Sequence, residues 1–164
     1  MRKLEINHIV GYLPYGLKAE MLDYKRDYVN KQYDTIVGVH QWDSRNLYWS
    51  ALTSGGSKPE LNSIKPILRP LSDLIKEIEV GGKKFVPIEY FGEYSESLPD
   101  CQINDADYFT DTDTEEYLND FIKDHSFHKL YFLPFGLIEK LYEWHFDIHD
   151  LISCGLAIDV NTLP

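Results

Sequence analysis

Apolar positions recur at Leu137, Leu141, Trp144, Ile148 and Leu151, spaced four, three, four and three residues apart. At about 100° per residue this spacing gathers them on one helical face. Ile138, Tyr142, His145, His149 and Ile152 flank that face, while Glu139, Lys140, Glu143, Asp147 and Asp150 fill the remaining arc. The pattern predicts a long apolar helix over 137–154, lying deep against a sheet or other helices. Pro134 suits its first turn, where a missing N–H costs nothing. Gly155 suits the left-handed residue just past its end, with Leu156 folding back on Leu151. The alternation of 157–160 then predicts a short strand.

Upstream the period changes. Residues 4–22 mix Ile9, Val10, Tyr12, Leu13, Tyr15 and Leu17 with Gly11, Pro14 and Gly16, so any strand there is an edge strand or is kinked. Residues 18–28 read as a strand end or a short loop. The run 33–42 holds Thr35, Ile36, Val37 and Val39 and predicts a strand, with 47–53 as its return. A Ser44-Arg45 loop would pair Trp42 with Leu47 and His40 with Trp49, making an aromatic hairpin whose Tyr48, Trp42 and Trp49 could present a binding surface. Residues 54–63 read as a loop. Pro66 and Pro70 argue against 64–71 as a regular helix or a central strand. Ser72 caps a short helix over 73–79 that Gly81-Gly82 ends, and 84–91 reads as a strand carrying Pro87. Residues 92–113 form an acidic loop. Thr112 and Glu115 make a capping box for a helix over 113–125, followed by a strand or an extended lead-in over 127–133.

Strands and helices are segregated in this order. The prediction is an α+β fold, a small, mainly antiparallel sheet covered by C-terminal helices, including the long apolar helix 137–154, in a single globular domain spanning 1–164. The chain is 43% hydrophobic and 14% aromatic, which is no composition for a disordered segment. Its formal net charge of −11 disfavours general affinity for nucleic acids and anionic membranes. Cys101 and Cys154 lie too far apart in sequence to read as a disulfide framework. No signal-peptide core opens the sequence and no run approaches the roughly 20 apolar residues of a membrane span. The expected setting is cytoplasmic, in the host if phage-encoded.

Three stretches, YLPYGLK at 12–18, KPILRPLSDL at 65–74 and WHFDIHDLISCGLAIDVNTL at 144–163, resemble a family of uncharacterised small proteins. That family belongs to Bacteroides-type gut bacteria, their phages and integrated elements. The resemblance implies a phage or mobile-element setting and a compact fold, and it implies no catalytic residues. Residues 79–133 have no part in it. Read physically, the first two blocks are proline-fixed segments, and Lys65 and Arg69 are cations able to pair with the acidic loop.

Of the candidate chemistries, H-x-D-x-H at 145–149 holds three common metal ligands. On a helix, His145 and His149 at i,i+4 share a face and Asp147 points away. The candidate metal ligands are therefore His145 and His149, with a third drawn from His8, His40, His125 or His128. The plain alternative is two half-buried histidines hydrogen-bonded at the core rim. Asp105, Asp107, Asp111, Asp113 and Glu115 echo a calcium loop, but Glu116 stands where the loop from Asp111 needs glycine and Ile122 where it needs a bidentate acid. Gly55-Gly56-Ser57-Lys58 lacks phosphate-loop spacing. No nucleophile elbow is present, and neither cysteine has a catalytic setting.

The expectation is thus a non-enzymatic accessory protein without a cofactor that binds another protein or itself, as a homodimer for instance, and neither nucleic acid nor membrane. Two alternatives stand beside it. One is a metal-dependent hydrolase using His145 and His149. The other is an acidic nucleic-acid mimic acting on a host protein, although the acids here are mixed with 16 Lys and Arg.

Overall fold

The β-branched run after Tyr33 does form a strand, and the sheet grows from it. In a computed structural model, residues 3–22, 33–41, 47–51, 60–91 and 133–164 are described. They fall into two compact units, Met1–Pro70 with Ile138–Pro164, and Leu71–Leu137.

The first unit holds a five-stranded sheet in the order β3-β2-β1-β4-β7. Its strands are β1 (Lys18–Met21), β2 (Tyr33–Gln41), β3 (Leu47–Ala51), β4 (Ile64–Leu68) and β7 (Ile158–Asp159). β1 pairs antiparallel with β2 and β4, and β2 antiparallel with β3, whereas β4 and β7 are parallel. Strand alternation buries Ala19, Met21, Ile36, Ile64 and Leu68. Two 3-10 helices, Ile6–His8 and Val10–Tyr15, precede the sheet and bury Ile9 and Tyr12 completely. Pro14 lies inside the second, not in a strand.

The hairpin register differs from the expected one by a single residue. Gln41 lies opposite Leu47, His40 opposite Tyr48 and Val39 opposite Trp49, with an irregularity between Ile36 and Gly38. In this register His40 does not pair with Trp49. Trp42 lies outside the described residues.

β4 overturns the expectation that Pro66 excludes a central strand, since it lies between β1 and β7. Leu22 N–H donates to Ser63 O at 2.7 Å. Backbone groups of alternate residues face the same side, so Lys65 turns its N–H toward β1 and Pro66 turns away. On that other side the register with β7 starts only at Ile67. The missing proline donor therefore removes no ladder bond.

The long apolar helix 137–154 is also corrected. Helix α1 spans Phe135–Glu143. The residues after it form turns, and a parallel bridge joins Phe146 to Arg69. The five periodic apolar residues from Leu137 to Leu151 are all buried nonetheless. Burial followed the pattern, while main-chain bonds to Arg69, just past β4, took the place of helical ones. In place of the long helix stand one short helix and a tightly hydrogen-bonded loop.

In the second unit, a 3-10 helix Leu71–Ile75 leads into the hairpin β5 (Ile78–Val80) and β6 (Lys83–Phe85). This replaces the helix expected over 73–79. Gly81 and Gly82, with φ of 58° and 78°, occupy the two-residue turn, where left-handed backbone matches strand twist. The chain is helical again over 87–91, so Pro87 begins a helical turn where a strand was expected. Asp73 is buried and accepts from Lys76 Nζ at 2.6 Å. The acidic loop, the helix over 113–125, the extended run up to residue 132, the calcium-like acids, the 54–59 glycine loop, Cys101, His125 and His128 lie outside the described residues.

Candidate functional site

Why α1 stops is the key to the site. Phe146 N–H donates to Leu141 O at 2.9 Å, and His145 N–H donates to Tyr142 O at 3.0 Å. These are the two bonds of a Schellman cap, with His145 at the left-handed position (φ 58°) and Phe146 just beyond it. Leu141 and Phe146, the hydrophobic pair of that motif, are both fully buried. Glycine is the usual occupant of the left-handed position. A histidine there is uncommon, although it is among the better-tolerated non-glycine residues.

The chain leaving the cap is clamped to the end of β4. Arg69 N–H donates to His145 O at 2.7 Å, and Asp147 N–H donates to Arg69 O at 2.8 Å. Tyr12, fully buried, supplies a second clamp from the Val10–Tyr15 helix. Its hydroxyl donates to Phe146 O at 2.6 Å and accepts from Ile148 N–H at 3.3 Å. Burial pushes the Tyr12 phenol well above its ordinary pKa, so the hydroxyl stays protonated.

Asp147 organises the next turn. Its Oδ1 accepts from Leu151 N–H at 2.9 Å and its Oδ2 from Ile152 N–H at 2.7 Å. Burial raises its pKa, against the lowering effect of the N–H groups of Ile152, Leu151 and His149, and Asp150 adds to the rise. Sequence reasoning set Asp147 on the helical arc away from His145 and His149; it is instead a buried acceptor for main-chain donors. A second Schellman pair, Leu156 N–H to Leu151 O and Gly155 N–H to Ile152 O, closes the turn. Gly155 takes the left-handed position at φ 70°, as its sequence context predicted.

Around this loop lies a cluster of aromatic and imidazole rings. Tyr142 meets the Tyr12 ring edge-on at 4.8 Å between centroids. Tyr142 also lies over Gly11, where an added Cβ would overlap its ring, so glycine is required there. His145 stacks nearly parallel to Tyr12 at 6.3 Å, and His149 approaches Tyr12 edge-on at 6.4 Å. What the two candidate ligands share is therefore the Tyr12 ring, not a helical face, because the helix that would align them ends at Glu143.

His149 has a different imidazole neighbour, His8, at 5.5 Å between centroids, and its Nε2 is 3.5 Å from the Tyr142 hydroxyl. His8 Nδ1 accepts from Glu5 N–H at 3.0 Å, which puts the proton of neutral His8 on Nε2. Among the described residues, no group of three or more His, Cys, Asp or Glu is disposed to hold a metal ion.

His145 Nε2 is buried and has no hydrogen-bond partner among the described residues. Burial lowers the pKa of this imidazole, and the charges of Arg69 and Lys18 lower it further. Sequence reasoning found the two histidines but missed Tyr12 and the buried role of Asp147. The signal for Asp147 was present in retrospect, since an aspartate ahead of a turn is a natural acceptor for N–H groups a few residues on. Tyr12 carried no local signal, because its partners are 134 and 136 residues away.

No protein family matches this chain, and no curated protein and no solved structure matches it either. Among the described residues, no helix is long and apolar enough to cross a membrane. The class that fold and site define is an α+β protein with a mixed sheet, whose C-terminal loop is locked by buried polar groups.

Proposed function

We propose that the chain is a non-enzymatic binding module that engages a partner protein through the outer face of β1 and β2. In keeping with its sequence resemblance, it serves as an accessory protein of a phage or mobile element and acts in the host cytoplasm. The observation that supports this reading is the uncovered side of the two strands. Alternation there places Leu22, Tyr33 and Val37 outward, and they are 49%, 36% and 52% exposed. Lys18, Glu20 and Lys65 alternate onto the same side, giving the apolar strip a border of both charge signs. Such a border suits a protein surface better than a phosphate backbone, which a chain at −11 repels. Three partly exposed side chains supply far less than the roughly 800 Å² per partner of a standard stable interface, so the contact belongs to the transient class. The engagement of Tyr12 and Asp147 with main-chain groups also favours a structural role for the site over turnover.

The test compares the wild type with a Tyr33→Lys, Val37→Glu variant. Sedimentation over a concentration series reads self-association, and affinity capture from nuclease-treated lysate reads a host partner. A complex of either kind that weakens at least about tenfold in the variant (some 1.4 kcal/mol) supports the reading. A strict monomer whose captured proteins are the same for both chains overturns it.

A further inference from the structure

A surface that joins two copies of one chain must be self-complementary, because around a two-fold axis each contact occurs twice with its roles exchanged. The outer side of β1 has this property. Lys18 and Glu20 point to that side, two residues apart, and Ala19 between them turns inward and is fully buried. A two-fold axis crossing β1 above Ala19 exchanges their positions, so that Lys18 of one copy stands over Glu20 of the other, twice. The register carries the match onto β2. Tyr33 lies opposite Glu20 and Thr35 opposite Lys18, so the same axis lays Tyr33 of one copy on Thr35 of the other. Leu22 lies two residues beyond Glu20, and Val37 two beyond Thr35, at the other end of the strip. The axis therefore brings Leu22 of each copy to the end where Val37 of the other is exposed.

We propose, resting on the reading of this face as the binding surface, that its occupant is a second copy of the chain. The copies are related by a two-fold axis over Ala19 and joined by reciprocal Lys18–Glu20 pairs. A foreign partner would have to bring an anion and a cation about 6.7 Å apart in the matching order, whereas the chain already carries both. Lys65 is the cross-strand neighbour of Glu20 on β4, so each carboxylate at the contact lies between two cations. A carboxylate accepts about four hydrogen bonds, so Glu20 keeps its present contacts while meeting Lys18 of the other copy. The net charge of −11 opposes the approach of two copies. At physiological ionic strength that repulsion is screened over about 8 Å, and groups paired in contact are screened far less.

The experiment is sedimentation over a concentration series for the wild type, Lys18→Glu and Glu20→Lys, with the two variants run alone and as an equimolar mixture. Each substitution sets like charges against each other at both pairs, so each variant alone should self-associate at least about tenfold more weakly than wild type. Net charge alone predicts otherwise for Glu20→Lys, which makes each copy two charges less negative. In the mixture every pair joins opposite signs, and a heterodimer at least as tight as the wild-type dimer is expected. That recovery also shows that both variants fold. If either does not fold, Lys18→Gln and Glu20→Gln decide, and each should weaken the dimer about threefold or more. A wild type that stays monomeric up to millimolar concentration overturns the proposal. So does a Glu20→Lys chain that associates as tightly as wild type, a mixture no tighter than its components, or a dimer unchanged by the glutamine variants. In those cases the face still stands as a binding surface if Tyr33→Lys, Val37→Glu loses a captured host protein, which then takes the place of the second copy. If it loses none, both readings fall.

Discussion

The chain makes the same turn twice within sixteen residues, once at Leu141–Phe146 and once at Leu151–Leu156. Both turns carry the same two main-chain bonds, at 2.9 and 3.0 Å in the first and 2.8 and 3.0 Å in the second. They differ in the residue that bears the left-handed backbone. Gly155 does so in open space, with nothing within 4 Å of where a Cβ would lie. His145 does so with its ring packed on Tyr12 and its carbonyl holding Arg69. The second turn is therefore a local decision, made by a residue with no steric objection. The first is imposed from outside by two clamps strong enough to hold a side chain where the backbone disfavours it.

The largest expected break in this comparison is Tyr12→Phe. It removes the hydroxyl that Phe146 O and Ile148 N–H share, leaving them only their bond to each other at 2.9 Å, and should cost about 1.5 kcal/mol. Urea unfolding measures the loss, and exchange at Ile148 should accelerate far more than exchange at Gly155. Gly155→Ala comes next, at about 1 kcal/mol, because it adds left-handed strain without any clash. A thermal melt should register it as a drop of a few degrees. His145→Gly should have the smallest effect. Relief of roughly 1 kcal/mol of backbone strain offsets the lost ring contact, leaving stability at pH 8 within about 0.5 kcal/mol of wild type. A loss of 2 kcal/mol or more in His145→Gly would show that the ring, not the backbone, dominates the first turn.

The two turns also explain what could be read in advance. Gly155 was legible because glycine ahead of an apolar residue signals its own conformation. His145 was not, because nothing in its neighbours says that a helix ends there. The periodicity from Leu137 to Leu151 correctly marked every one of those side chains as buried. It could not tell a helix from a folded loop that buries the same residues. β2 was legible from its β-branched content and β3 as its return, but their register was not, because an odd-length turn and an even one differ by no residue type. Pro66 misled for a related reason: a central strand can carry proline wherever its donor would face no ladder bond. For the site, the histidine pair was visible as spacing. Tyr12, the group that joins them, lay on the far side of the chain.

The reach of Tyr12 also sets an order of events during synthesis. β1 and β2 are near neighbours in sequence and can pair as soon as the ribosome releases them. The Tyr12 hydroxyl, by contrast, waits more than a hundred residues for Phe146 and Ile148, while Arg69 waits 77 residues for Phe146 and Ile67 waits 91 for Ile158. Until then the nascent chain carries a phenol without its carbonyl and a strand open on one side, a state that a chaperone or a neighbouring nascent chain can read. Contacts of such sequence separation are the slow ones in folding. The residues from Phe146 to Asp159 thus decide when the open side of β4 stops being available to other strands.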